Sequence, residues 1–194
     1  MAVALFLAAC SEAPPAPTKA KSPDAPPAPI TGRQAFYQTY PQARTWASDC
    51  LPIRIRSYNL KEVASGEGKA GAWEVTFASP AKGRSKSVTW SAVEAEGLHK
   101  GVFGGQEESW SASQAKFFPV QAIQVDTPDV LKTAMAKGTS YFKRPGERPP
   151  VTFQLELMNR FPNPAWRVYW GDSASAAEFT VFVDSTTGDF LQKN

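Results

Sequence analysis

His99 is the single histidine of the 194-residue chain, and with Cys50 it is the side chain best suited to proton transfer or nucleophilic attack. A Ser-His-Asp hydrolase needs one histidine as its base, so an envelope hydrolase using His99 is the enzymatic alternative. The sequence does not develop it further. No Gly-x-Ser-x-Gly elbow occurs, and His99 sits in Gly97-Leu98-His99-Lys100-Gly101, just before Phe103-Gly104-Gly105, which reads as a mobile glycine-rich linker. A zinc site needs three or four closely spaced ligands, and His99 with Cys50 falls short of that. Gly101 to Gly105 lacks the lysine and following helix of a P-loop. Glu94-Ala95-Glu96 and Glu107-Glu108 read as solvated, and a carboxylate pair for glycoside hydrolysis is defined by distance in space rather than in sequence. No catalytic residue, metal or cofactor is assigned.

Binding is the chemistry that remains. The six Trp, five Tyr and twelve Phe are generous for this length, and several alternate along strands. Trp73, Phe77, Trp166, Val168 and Trp170 share one phase and are expected in the core. Tyr169 falls out of that phase and Trp110 lies in a loop, so these two are the candidate contacts for a sugar or peptide partner. The net charge of +3 is spread over Lys100, Lys116, Lys132, Lys143 and others without a dense stripe, which argues against nucleic acid. Lys143-Arg144-Pro145-Gly146-Glu147-Arg148 reads as a solvated loop. Cys50, among Ala47, Leu51 and Ile53, reads as a small buried hydrophobe.

The elements that would position these residues emerge when the chain is compared with itself. Trp73-Glu74-Val75-Thr76-Phe77 and Trp166-Arg167-Val168-Tyr169-Trp170 are similar at an offset of 93 residues, as are Val88-Thr89-Trp90 and Val181-Phe182-Val183. Residues 34–46 fall opposite residues 127–139 at the same offset. The expected fold is α+β, with two related units, each a helix packed on an antiparallel sheet. A first unit at residues 31–96 is followed by a connecting segment at 97–125 and a second unit at 126–194.

The first helix is expected to start at a Thr31 capping box with Gln34, to place Ala35, Phe36, Thr39, Tyr40 and Ala43 on one face, and to kink or restart at Pro41. The second has Asp126 or Thr127 as cap, Pro128 in the first turn, Asp129 at the positive dipole end and Gly138 as its stop. Val130, Leu131, Ala134 and Met135 form its expected buried stripe. Strands are expected at residues 52–58, 73–79 and 87–93, and again at 151–157, 165–171 and 178–184, with alternation that implies sheets packed on one face.

The chain opens with an apolar run from Ala2 to Ala9, long enough for a secretory h-region and far short of a membrane span. It ends Leu7-Ala8-Ala9-Cys10, which resembles the lipobox of bacterial lipoproteins. That resemblance implies a signal peptide over residues 1–9 and a diacylglyceryl group on Cys10. The positively charged n-region is missing directly after Met1, for which a misplaced start codon accounts. Residues 10–30 read as the lipidated cysteine and a disordered tether, with seven prolines between Ser11 and Ile30. In polyproline II at about 3.1 Å per residue the tether reaches roughly 60 Å from the lipid. Two acyl chains anchor stably, so the implied location is extracytoplasmic and lipid-anchored. Ser11 after the cysteine points to the outer membrane, facing the periplasm.

Phe153-Gln154-Leu155-Glu156-Leu157, Pro164-Ala165-Trp166-Arg167-Val168 and the run from Val181 to Gly188, which closes Asp184-Ser185-Thr186-Thr187-Gly188, resemble a PepSY-type domain. The likeness covers about residues 126–192 and, more faintly, 31–96. In the first unit Ser91-Ala92-Val93-Glu94 replaces the Asp-x-x-Thr-Gly turn. The residues themselves explain the turn: Asp184 accepts backbone hydrogen bonds and Gly188 supplies a positive φ. The resemblance implies a noncatalytic module of secreted and membrane proteins, including protease propeptides, that acts by binding or inhibition. The expected function is therefore a membrane-anchored envelope lipoprotein with an envelope protein or peptide as partner.

Overall fold

The Thr31 hydroxyl accepts from the Gln34 amide at 3.2 Å while Gln34 Oε1 accepts from the Thr31 amide at 3.0 Å, a reciprocal cap that fixes the first helix. This is seen in a computed structural model that describes residues 28–171 and 173–194; the signal peptide, Cys10 and the tether up to residue 27 lie outside them. Helix α1 (Gly32–Trp46) runs unbroken through Pro41, where a kink or restart is expected. Pro41 sits on the exposed side of the helix. The carbonyl that loses its donor one turn back therefore faces water, which lowers the cost of an internal proline. Gly32, Ala35, Phe36, Thr39 and Ala43 are buried.

Helix α2 (Thr127–Lys137) is capped by Asp126, whose carboxylate accepts from the Thr127 amide at 2.8 Å and from the Arg33 amide at 3.0 Å. Its buried face is narrower than expected: Val130 and Ala134 are buried, Leu131 is half-buried and Met135 is exposed. Gly138 ends α2 and leads at once into a short helix α3 (Thr139–Phe142).

A short pair, β1 (Ile30–Thr31) with β3 (Lys69–Ala70), accompanies one large sheet. Its members are β2 (Leu51–Tyr58), β4 (Ala72–Ser79), β5 (Arg84–Ser91), β6 (Gly101–Ser109), β7 (Val151–Glu156), β8 (Ala165–Trp170), β9 (Phe179–Asp184) and β10 (Phe190–Lys193). They form eight antiparallel strands in the order β10-β9-β8-β7-β2-β4-β5-β6. Two differences from expectation follow. The segment read as a connection contains the edge strand β6. And the expected two sheets are one, because β2 pairs with β7 through Arg54↔Glu156, Ile55↔Leu155 and Arg56↔Gln154. The Phe153 amide also donates to Ser57 Oγ at 2.9 Å across this seam.

The register repeats at the offset found in the sequence. Trp73 pairs with Trp90 and Val75 with Val88, while Trp166 pairs with Val183 and Val168 with Val181. Trp73 Nε1 donates to the Ile30 carbonyl at 3.0 Å and Trp166 Nε1 to the Val125 carbonyl at 3.1 Å. Each acceptor immediately precedes the cap of α1 or α2, so each indole ties a strand to the start of its helix.

Both main helices pack on the same face of the sheet, α1 over β4 and β5, α2 over β8 and β9. Phe36, Ile55, Trp73, Phe77, Phe153, Leu155 and Trp166 are fully buried between the layers. Burial of each such side chain contributes about 1.5–3 kcal/mol. Trp170 and Val168 join them, as their phase requires, and Cys50 is buried beside them. No helix of the described residues is long and apolar enough to cross a membrane.

Candidate binding cleft on the open sheet face

Side chains alternate across a strand, so the residues between those core positions emerge on the face that carries no helix among the described residues. Arg54 and Arg56 on β2, Glu74 and Thr76 on β4, Gln154 and Glu156 on β7, and Arg167 and Tyr169 on β8 lie there in paired rows. Above them the segment of residues 110–117 folds back and closes a cleft of about 700 Å³. Arg54, Thr76 and Glu156 form its floor, and Trp110, Lys116 and Met158 contribute to its walls. Trp110 is held in place: its indole donates to the Ala115 carbonyl at 2.8 Å, and its ring lies 6.1 Å from the exposed Phe117. The half-buried ring thus lines the cleft.

Arg54 Nη2 reaches Glu74 Oε1 at 3.3 Å and Thr76 Oγ1 at 3.5 Å. Glu74 also serves Tyr58, whose hydroxyl is pushed above its ordinary pKa first by burial and then by the Glu74 charge. Arg56 lies with its guanidinium 5.3 Å from the centre of the Tyr58 ring. Next to it is a hollow of about 480 Å³ lined by Arg56, Gln154, Arg167, Tyr169, Ser173 and Ser175. The Nε atoms of Arg54, Arg56 and Arg167 are buried and make no hydrogen bond among the described residues.

Tyr169, the other residue read as an exposed contact, is 1 % exposed. Its phase is the outward one, as read, but this end of the outer face has a cover of its own. Arg167 crosses Tyr169, with its guanidinium 5.6 Å from the ring centre, and donates to the Ala174 carbonyl in the following loop. Beside it Phe182, also buried, is covered by Phe161 and by Arg160, whose guanidinium sits 4.1 Å from the ring centre. Tyr169 therefore lines the hollow as a buried wall and offers no free ring face.

His99 lies away from the cleft, in the turn between β5 and β6. Its Nδ1 is 2.7 Å from Glu94 Oε1, its ring is 4.4 Å from that of Phe103, and its side chain is 58 % exposed. The Lys100 amide, and then His99, hold the Glu94 carboxyl below the usual carboxylate range. No hydroxyl or thiol hydrogen-bonds the His99 ring among the described residues. Burial pushes the Cys50 thiol up, which keeps it protonated and inert.

Asp184 accepts from the Thr186 and Thr187 amides at 2.7 and 3.1 Å and from Asn163 Nδ2 at 3.0 Å, and Gly188 has φ of 80°. The turn reading of this motif accounts for all of these bonds. In the basic loop, Arg148 donates to the Tyr141 carbonyl at 3.0 Å and lies over its ring. Among the described residues no cluster of three His, Cys, Asp or Glu is placed to hold a metal ion.

The arginines are the part of this face that sequence reading missed. Their signal was present: Arg54-Ile55-Arg56 and Trp166-Arg167-Val168 alternate charge with core residues, so the charges must share the outward face.

No family model matches the chain, and no curated protein does. Among solved structures the chain is similar to the 1.85 Å crystal structure of a candidate lipoprotein from Clostridium difficile 630, with a TM-score of 0.55 and 10 % identity over 82 % of this chain and 91 % of that one. At that identity the likeness is one of fold, and it joins the α+β architecture described above to a known experimental structure.

Proposed function

We propose that the protein is an envelope lipoprotein, anchored through Cys10 and facing the periplasm from the outer membrane, that acts as a noncatalytic binding module for a protein or peptide partner. In this reading the molecule is two PepSY-like helix-plus-sheet units fused edge to edge at β2 and β7. The recurrence of the strand register and of the indole-to-helix bonds supports a duplication. The lipobox-like leader supports the anchor, and so does the fold likeness to a candidate lipoprotein.

The observation that carries the binding role is the asymmetry of the sheet. Its helix-covered face is spent on the core, whereas the opposite face holds a cleft of about 700 Å³ with a fixed Trp110 and ionic side chains. An aromatic wall over a polar floor suits recognition of an extended partner. The test is capture from detergent-solubilised envelopes with the full-length tagged protein, comparing wild type with Trp110→Ala. A partner retained by wild type and reduced by the substitution supports the reading; a partner retained equally by both moves the interaction off this face.

The competing reading, an envelope hydrolase with His99 as base, has the Glu94 contact in its favour, since a carboxylate on Nδ1 is how a catalytic histidine is oriented. His99→Ala with folding intact separates the two. Partner capture is expected to survive it, and loss of a hydrolytic activity of the purified protein would favour the enzyme.

A further inference from the structure

Within the open face, the hollow beside β2, β7 and β8 has a chemistry distinct from that of the larger cleft. Arg56 and Gln154 are direct partners across one strand boundary and Gln154 and Arg167 across the next. With strands about 4.8 Å apart, the two arginines flank the Gln154 amide from about 10 Å of backbone separation. Guanidinium side chains are long enough to converge on one group over such a gap. Ser173 and Ser175 add hydroxyls at the rim.

Among the described residues the lining of the hollow is one-sided in charge. It holds two guanidinium groups and no carboxylate. Glu74 on β4 is the direct cross-strand partner of Arg56, and its carboxylate is held by Arg54 Nη2 at 3.3 Å. Arg56 forms no ion pair or hydrogen bond among the described residues, and Arg167 spends one Nη on the Ala174 carbonyl, which fixes the loop and orients its remaining donors.

We propose that this hollow is a binding site for a phosphate group, held between Arg56 and Arg167 with Gln154 donating from below. Two guanidinium charges match a phosphate that carries about −1.5 to −2 near neutral pH better than they match a single carboxylate. Forked guanidinium donors, an amide and one hydroxyl of the hydrogen-bonded Ser173–Ser175 pair also outnumber what the two oxygens of a carboxylate accept, and they suit the three oxygens of a phosphate. The inference rests on the open face being the binding surface and names the chemistry one part of it recognises: the partner would bring a phosphate.

The Nε–H groups of Arg56 and Arg167 are shielded from solvent, so slow exchange is expected and they serve as reporters. The experiment is a titration of the 15N-labelled full-length protein in a non-ionic detergent with sodium phosphate at constant ionic strength. The Arg Hε–Nε resonances are assigned with Arg56→Lys and Arg167→Lys, and sodium succinate and sodium chloride are run as parallel arms. The expected result is saturable movement of the Arg56 and Arg167 signals with phosphate only. Affinity is expected to weaken on the order of ten- to a hundredfold in Arg56→Gln and to stay unchanged in Tyr37→Ala on the helix-covered side.

Movement that is linear, or equal in chloride, overturns the site; tighter binding of succinate overturns its assignment to phosphate. Either failure with partner capture intact removes this inference alone. Phosphate binding with no Trp110-dependent capture upholds the hollow and sinks only the protein-partner reading.

Discussion

Trp166 joins packing and hydrogen bonding in one side chain. It is fully buried, and its Nε1 donates to the Val125 carbonyl just ahead of the α2 cap. Trp166→Phe keeps most of the apolar volume while it removes that donor and leaves a small void. The expected loss is about 1–3 kcal/mol, read as a lower urea midpoint. Asp49 acts through charge instead. The Ser79 hydroxyl, at 2.7 Å, and then the Ala81 amide hold its carboxyl below the ordinary range. A depressed folded pKa contributes stability above the unfolded value of about 3.9 and loses it as pH falls through the folded value. Asp49→Asn is therefore expected to lower the urea midpoint at pH 7 and to narrow the difference between pH 7 and pH 3. An unchanged difference would mean that other carboxylates dominate the acid transition.

At the scale of elements, the start of α2 is held from outside the helix. Thr127 Oγ1 accepts from the Gly32 amide at 3.0 Å and donates to the Gly68 carbonyl, which binds α1, α2 and the β3 turn into one junction. Gly68 has φ of 78°, and a Cβ there would lie 2.4 Å from the Pro128 nitrogen. Strain and clash act together, so Gly68→Ala is expected to cost more than about 2 kcal/mol, seen as a drop of several degrees in Tm. A melt within a degree of wild type would show that the junction yields easily.

These elements differ in how far the sequence announced them. Trp73-Glu74-Val75-Thr76-Phe77 and Trp166-Arg167-Val168 announce strands through plain alternation, and the Thr31 cap announces its helix. Strand β6 has no such pattern, because Gly104 and Gly105 interrupt it and its side chains are mostly exposed. It is a strand by virtue of its pairing with β5. The β2–β7 seam was equally hidden, since pairing between strands about a hundred residues apart leaves no local mark. Trp110 was legible as a loop aromatic but its cleft was not, because the cleft exists only where residues 110–117 meet the seam. Tyr169 was read as exposed from its phase, and long-range cover by Arg167 and the loop near Ala174 reversed that.

For the whole molecule, one-sided cover of the sheet is the central fact. A domain that needed only to fold would gain from covering both faces with apolar layers. Here the second face keeps Arg54, Arg56 and Arg167, the carboxylates of Glu74 and Glu156, and a fixed indole instead.

The measurement that bears most directly on this is site-specific photocrosslinking of the full-length protein in living cells. A photoreactive phenylalanine derivative is placed at Trp110 or at Thr89 on the open face, and at Tyr37, 59 % exposed, on α1. Discrete protein adducts from positions 110 and 89, with none from 37, are the expected result. Adducts from position 37 alone, or none from either open-face position, would contradict the assignment of this face as the binding surface.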